Sequence, residues 1–126
     1  MYIPQTILVC DALDVGSTST YYSNSFEIGF GSNFGIWYKA ASAGTIALKI
    51  ELEESYTKPA TEGSSDSNWG VPSGLSDIVS NLANNTLDMK TVAPVPMRYG
   101  RLKITGLTGN AASTTLTARV LVQEQA

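Results

Sequence analysis

The segment from Ile46 to Glu53 alternates strictly between apolar and other side chains, and this alternation constrains the fold more than any other feature of the sequence. Every second position is aliphatic, in the order Ile46, Leu48, Ile50 and Leu52. The positions between them include Lys49, Glu51 and Glu53. Because successive side chains of a strand point to opposite faces, a shift of one residue would place all four aliphatic side chains in water. The segment therefore predicts a half-buried β-strand with a specified core face.

Similar alternation recurs along the chain and predicts an all-β protein. Phe26 and Ile28, then Phe34, Ile36 and Tyr38, are apolar at every second position, and the final strand repeats the pattern at Leu116, Ala118, Val120 and Val122. Only 15% of the residues are charged, against about 25% in an average globular domain, while Ser, Thr, Asn and Gly are abundant. About seven short strands separated by turns are typical of an antiparallel β-sandwich or jelly-roll-like domain. We expect a single domain over residues 1–126.

Two segments depart from the alternating pattern. Residues 55–85 form a long polar connection, within which Leu75, Ile78, Val79 and Leu82 have the spacing of one helical face. The sequence therefore predicts one short helix from Leu75 to Asn85 inside a long loop. Residues 1–6, "MYIPQT", contain a proline that disfavours helix, and we expect them to form an N-terminal arm.

The residue types needed for most catalytic and metal sites are missing. The chain contains no histidine and a single cysteine, Cys10, which lies among apolar residues and is expected to be buried. Glu51 and Glu53 could form a carboxylate pair for glycoside hydrolysis, but solvated charges on the outer face of a strand explain them better. Asp66 and Glu62 could bind calcium, yet they lack the spacing of an EF-hand loop, and a polar turn explains them better. We expect no enzyme activity, no catalytic residue, no metal and no cofactor.

The net charge argues against binding to nucleic acid, and the absence of a long apolar segment argues against a membrane-spanning helix. The net charge is −3, and basic residues are scattered apart from Arg98, Arg101 and Lys103, which are expected to lie along one strand as solvated or salt-bridged side chains. No stretch approaches the roughly 20 apolar residues that cross a bilayer.

Aromatic side chains are the remaining indication of function. Trp37 falls on the outer face of its predicted strand, and Trp69 and Tyr56 fall in the long loop. Either a loop of the same domain covers Trp37, or these aromatics pack against a partner, as aromatics often do in interfaces. A sugar-stacking surface is the other interpretation. We select Trp69, Tyr56 and Trp37, with Tyr2 and Ile3 of the arm, as candidate interface residues.

The second half of the chain resembles small β-sandwich virion proteins of tailed bacteriophages. The matching features are Glu54-Ser55 at a strand end, the turn from Asp66 to Trp69, the pair Arg98-Tyr99, and Gly109-Asn110 before the Thr-rich strand "TTLTARVLV". The resemblance covers most of the chain from Thr45 onward. It implies a capsid decoration or auxiliary head protein that binds capsid protein and copies of itself, with trimers favoured, in virions assembled in the host cytoplasm. The alternative is a carbohydrate-binding or receptor-binding module that uses exposed aromatics.

Overall fold

The structure is a computed structural model that describes residues 2–28, 33–93 and 97–125. The described residues form nine β-strands and no helix, so none of them belongs to a helix that could span a membrane. The strands are β1 (Tyr2–Asp14), β2 (Thr20–Tyr22), β3 (Phe26–Glu27), β4 (Phe34–Ala41), β5 (Leu48–Ser55), β6 (Val79–Leu82), β7 (Asp88–Val92), β8 (Tyr99–Gly106) and β9 (Thr115–Gln125).

The strands form two antiparallel sheets with nested connections. One sheet has the order β1-β9-β4-β7, and the other has the order β2-β8-β5-β6, with the two-residue β3 also paired to β8. Apart from β3, the first strand pairs with the last, the second with the last but one, and β5 with β6 at the centre of the nest. A long hairpin folded over on itself in this way is a jelly roll, a form of β-sandwich. The predicted all-β sandwich is therefore confirmed.

Apolar side chains from both sheets meet in one core, as the alternation predicts. β4 buries Phe34, Ile36, Tyr38 and Ala40 and turns the residues between them outward. β5 buries Leu48, Ile50 and Leu52 in the same way, and these face the buried residues of the other sheet in a single cluster. Cys10 also belongs to this cluster at 2% exposure, and burial raises the pKa of its thiol to about 12. Its predicted role as a small buried side chain is confirmed.

The helix predicted from Leu75 to Asn85 is wrong. Val79–Leu82 is instead the edge strand β6, in which Leu82 lies opposite Leu48 of β5 and Val79 lies opposite Ile50. The amide of Ile78 also donates to the carbonyl oxygen of Ile50, at 2.9 Å. Without β6, this edge of β5 would lose those partners, and backbone groups inside a protein need partners. An irregularity between the two pairings lets Ile78 and Leu82 both reach the core, which gives them a helix-like spacing.

The N-terminal segment is part of a sheet and is not a free arm over its described length. Residues 2–6 continue β1, and each residue pairs with β9, from Tyr2 opposite Gln125 to Thr6 opposite Leu121. The arm predicted for residues 1–6 is therefore corrected to a strand from Tyr2 onward, while Met1 lies outside the described residues. The pairing satisfies the backbone groups of this segment that face β9, which a free arm would leave to water.

Candidate functional site

The long loop between β5 and β6 is fastened to the sheet beneath it by its own backbone and side chains. Glu54 and Gly70 exchange two backbone hydrogen bonds, at 2.9 and 3.2 Å. Next to them, the hydroxyl of Ser55 donates to the carbonyl oxygen of Asn68 at 2.7 Å. These bonds hold the turn from Asp66 to Gly70 against the end of β5, and they place Trp69 over the sheet.

Trp69 covers a buried arginine of β8. The indole is 7% exposed, and the guanidinium carbon of Arg101 lies 4.7 Å from its ring centre. The same carbon lies 4.1 Å from the ring centre of Tyr22 on β2, so two aromatic rings contact one cation. Trp69, a bulky aromatic residue in an otherwise polar loop, therefore packs within its own domain and closes the loop over Arg101.

Arg101 is fully buried and bonded through two of its nitrogens. Its Nε donates to Oε1 of Glu53 at 2.8 Å, and its Nη1 donates to the carbonyl oxygen of Ser64 at 2.7 Å. Glu53 itself is only 6% exposed. The prediction that Glu53 is a solvated charge is therefore wrong, because Glu53 lies opposite Arg101 in the β5–β8 pairing and the loop covers both. Glu51 is half-buried, and its Oε1 lies 3.7 Å from Nζ of Lys49.

The acidic residues of the loop brace its backbone. Asp66 accepts hydrogen bonds from the amides of Asn68 (2.9 Å) and Ala60 (3.0 Å), and these bonds hold the pKa of its carboxyl below its ordinary value. Glu62 accepts a bond from the amide of Ser25 at 2.8 Å and ties the loop to the β2–β3 connection. Within residues 2–28, 33–93 and 97–125, no three or more metal-binding side chains come together. These carboxylates act as structural acceptors here.

The candidate interface residues fall in three different places. Trp69 lies in the covered loop and is 7% exposed, which leaves little of its surface for a partner, and its contact with a partner stays a prediction. Tyr56 starts the loop and is 70% exposed. Trp37 lies on β4 and is half-buried. Tyr2 and Ile3 lie on β1, and their side chains are outside the part that the structure describes. Trp37 thus lies on the sheet opposite the one that carries Trp69 and Tyr56.

A different group of side chains does form a continuous surface, on the face of the four-stranded sheet that points away from the core. Its members occupy one line across all four strands, because Leu8 pairs with Arg119, Arg119 with Trp37, and Trp37 with Met89. We call these four residues the cross-strand row. Leu8 is 37% exposed and Met89 is 68% exposed, which is high for apolar side chains. Beside the row, Leu121 is 45% exposed on β9.

Arg119 and Trp37 stack on each other at the centre of the row. The guanidinium carbon of Arg119 lies 5.7 Å from the centre of the Trp37 ring. The sequence leaves two alternatives for Trp37, a ring covered by a loop of the same domain or a ring open to a partner. In the structure, a side chain of the neighbouring strand, Arg119, partly covers the ring. The row is thus apolar at both ends and cationic at its centre, and Lys39 of β4 adds a second exposed cation on the same face. Such a surface suits contact with another macromolecule more than chemistry.

Sequence reasoning found Trp37 and missed the rest of the row. Met89 in the row and Leu121 beside it occupy outward positions of strands, where apolar side chains are unexpected, and that is a signal in the sequence. Their grouping, however, depends on the pairing of strands that are up to 111 residues apart, as Leu8 and Arg119 are. Only the register of the sheet brings them together.

Comparisons with known proteins give a fold and no family. No family model matches the chain, and no curated protein matches it. Among solved structures, the chain is similar to that of the infectious bursal disease virus Gx strain, with 13% identity and a TM-score of 0.50, over 97% of this chain and 32% of that chain. The chain thus spans about a third of the viral chain's length. At this identity the likeness concerns the fold alone.

Two further structures are similar at lower scores. The Yersinia pseudotuberculosis-derived mitogen has 10% identity and a TM-score of 0.39, over 100% of this chain and 88% of that one. The carbohydrate-binding module CBM36, solved in complex with calcium and xylotriose, has 11% identity and a TM-score of 0.40, over 95% and 99% of the two chains. The strand order by itself defines the class of fold, a β-sandwich of jelly-roll topology.

Proposed function

We propose that this chain is a structural virion protein that decorates or stabilises a bacteriophage capsid through protein–protein contacts. The observation that carries the proposal is the cross-strand row, because Leu8, Met89 and the neighbouring Leu121 are exposed apolar side chains on one outer sheet face, and exposed apolar surface is typical of interaction sites. The jelly-roll topology is compatible with this role and with many others, because a fold does not determine function. The resemblance of the chain to small phage virion proteins is the reason that capsid protein is the proposed partner.

The proposed mechanism is binding without catalysis. The sandwich is a rigid body, and the cross-strand row faces capsid protein while other surfaces contact copies of this chain, with trimers expected from the resemblance. A protein that binds the assembled shell in preference to free capsid subunits stabilises the shell by mass action. Repetition of the contact around a symmetric shell adds avidity. The chain would act in the virion, after assembly in the host cytoplasm, and would need no cofactor.

Co-sedimentation tests the proposal with a matched pair of variants. Particles are banded in a density gradient from the culture that naturally produces the chain, and purified chain is added to them. Met89→Thr removes the most exposed apolar side chain of the row and keeps a residue that favours strands. Burial of a methionine is worth about 1.5–3 kcal/mol, so we expect binding to weaken roughly tenfold or more.

Tyr56→Ser is the control for this experiment, because Tyr56 is equally exposed and lies in the loop, away from the row. We expect Tyr56→Ser to bind particles as the wild-type chain does. Equal binding by wild type and Met89→Thr, or no binding by the wild-type chain, contradicts the proposed function.

Glycan or receptor binding is the second candidate, and the exposure of Tyr56 favours it. A sugar-stacking surface needs an open aromatic ring face, and Tyr56 at 70% exposure offers one. Trp37 fits this role less well, since Arg119 stacks on its ring. A glycan array probed with the wild-type chain and with Tyr56→Ser separates the two functions. Binding that Tyr56→Ser abolishes supports the second candidate, and an array without signal supports the first.

A further inference from the structure

The edge strands of the two sheets differ greatly in how they are protected from pairing with another chain. Over the described residues, β6 has four residues, β2 three and β3 two, so these edges are short. β7 has five residues and carries the charges of Asp88 and Lys90. Short length and charge are the usual means of blocking an edge. β1 is the exception, with 13 residues.

The second half of β1 is blocked by its own geometry. Its pairing with β9 is irregular between Leu8 and Cys10 and again between Cys10 and Leu13. Ala12 has a φ of 47°, in the left-handed region, and the carbonyl oxygen of Val9 already accepts a bond from the amide of Asn24 at 3.0 Å. Asp11 adds an exposed charge. Bulges and charges of this kind protect edges.

The first half of β1 has little of this protection. From Tyr2 to Leu8 every residue pairs with β9 in unbroken register, and the strand is the outermost of its sheet. The segment "YIPQTIL" contains no charged residue, and only Pro4 reduces its capacity to donate hydrogen bonds. Seven residues extend about 23 Å, which is a usual length for a paired strand.

We infer that the edge formed by Tyr2–Leu8 pairs antiparallel with the same segment of a second copy of this chain. An antiparallel edge is complementary to itself, and the absence of charge means that two copies do not repel each other there. Pairing would join two four-stranded sheets into one of eight strands. Centred on Gln5, the pairing would place the partly exposed Leu8 of each copy opposite Tyr2 of the other copy, at the two ends of the contact. Two copies related in this way form a closed, two-fold contact.

This inference concerns the isolated protein and does not depend on the proposed function. A two-fold contact closes at two copies, whereas the resemblance to phage proteins implies three. The oligomeric state therefore distinguishes this edge contact from a trimer built through another surface, and it is measured without particles.

The register of the sheet supplies a matched pair of variants for the test. Thr6 on β1 and Thr91 on β7 lie at the two ends of one line across the sheet, since Thr6 pairs with Leu121, Leu121 with Gly35, and Gly35 with Thr91. Both threonines are exposed. Thr6→Lys places a charge on the proposed contact, where the two copies bring two such charges close together. Thr91→Lys places the same charge on the opposite edge.

Sedimentation velocity over a range of concentrations measures the native mass of the three proteins. We expect the wild-type chain and Thr91→Lys to have twice the 13.4 kDa mass of one chain, and Thr6→Lys to have the mass of one chain. If Thr6→Lys does not fold, as judged by circular dichroism, Gln5→Lys at the neighbouring exposed position takes its place. A monomeric or trimeric wild type overturns the inference. So does a dimer that persists in the β1 variant or is lost in Thr91→Lys.

Discussion

The buried pair of Arg101 and Glu53 gives the sharpest prediction about stability. Arg101→Met removes the cation and keeps a long apolar side chain, which leaves the Glu53 carboxylate buried at 6% exposure without its 2.8 Å partner. Removal of one member of a buried ion pair costs about 3–5 kcal/mol. For a chain of 126 residues, this loss corresponds to a decrease in melting temperature of roughly 10–20 °C.

A second variant separates the buried charge from the loss of packing. In the double variant Arg101→Met with Glu53→Met, both members of the ion pair become apolar, and apolar replacements of buried ion pairs are often neutral or stabilising. We expect the double variant to be more stable than Arg101→Met by about 2 kcal/mol or more. It should still be less stable than wild type, because the bond to the carbonyl oxygen of Ser64 and the contact with Trp69 are lost.

Urea unfolding followed by circular dichroism at neutral pH measures the free energy of unfolding of each variant. Lys103→Met is the control, because Lys103 lies two residues along the same strand and is only half-buried. We expect its free energy of unfolding to change by less than about 1 kcal/mol. The reasoning is refuted if Arg101→Met costs no more than Lys103→Met, or if the double variant is less stable than Arg101→Met.

Two further predictions concern a glycine and an acidic group. A Cβ atom on Gly106 would lie 1.8 Å from a backbone carbonyl oxygen, so Gly106→Ala should cost about 1–3 kcal/mol or more in unfolding experiments, whereas Gly70→Ala meets no atom within 4 Å and should cost much less. The hydroxyl of Tyr38 donates to Asp88 at 2.7 Å and holds the pKa of that carboxyl below its ordinary value. This stabilisation is present above the unfolded pKa of about 3.9 and is lost as the pH falls through the lower folded pKa. The variants Asp88→Asn and Tyr38→Phe lack it at every pH. When the pH is lowered below about 4, both variants should therefore lose less stability than the wild-type chain loses.

Each of these predictions has a result that contradicts it. Equal stability of the two glycine variants would mean that the backbone beside Gly106 moves freely. An unchanged acid dependence in Asp88→Asn, measured by thermal unfolding from neutral pH downward, would mean that other carboxyls dominate in that range.

The sequence predicts β4 and β5 well because each strand points a regular set of apolar side chains at the core, at every second position. The four aliphatic residues of the Ile46–Leu52 run are all buried, and so are Phe34, Ile36, Tyr38 and Ala40. Such alternation depends only on local order along the chain, and its register is fixed by the core. The all-β architecture followed directly from it.

The helix prediction failed because short apolar runs fit more than one secondary structure. Ile78 and Leu82 have the spacing of one helical turn, and they reach the core from an irregular edge strand instead. The segment forms a strand because it pairs with the edge of β5, where the amide of Ile78 donates to the carbonyl oxygen of Ile50. That pairing belongs to tertiary structure and leaves no mark on the segment itself.

The candidate sites were the least predictable part of the molecule. Glu53 and Arg101 are 48 residues apart and look like two ordinary charged residues on outward positions. Their burial depends on the loop that Trp69 closes over them. In the same way, the cross-strand row exists only once four strands are in register, although Met89 at an outward position was a signal in the sequence.

Oxidative footprinting of methionines tests the central claim, that the cross-strand row is the surface that contacts the capsid. Met89 in the row is 68% exposed, and Met97, outside the row, is 43% exposed. Both should be oxidised readily by peroxide in the free chain, and mass spectrometry measures the two rates separately. Met97 is thus an internal control in the same molecule.

The same measurement is then made on chain bound to density-banded particles from the culture that naturally produces it. We expect the oxidation of Met89 to slow several-fold while Met97 is oxidised at its free rate, because a partner that covers the row excludes water from it. Equal rates for Met89 in the free and particle-bound chain, or the absence of the chain from the particles, would contradict the account.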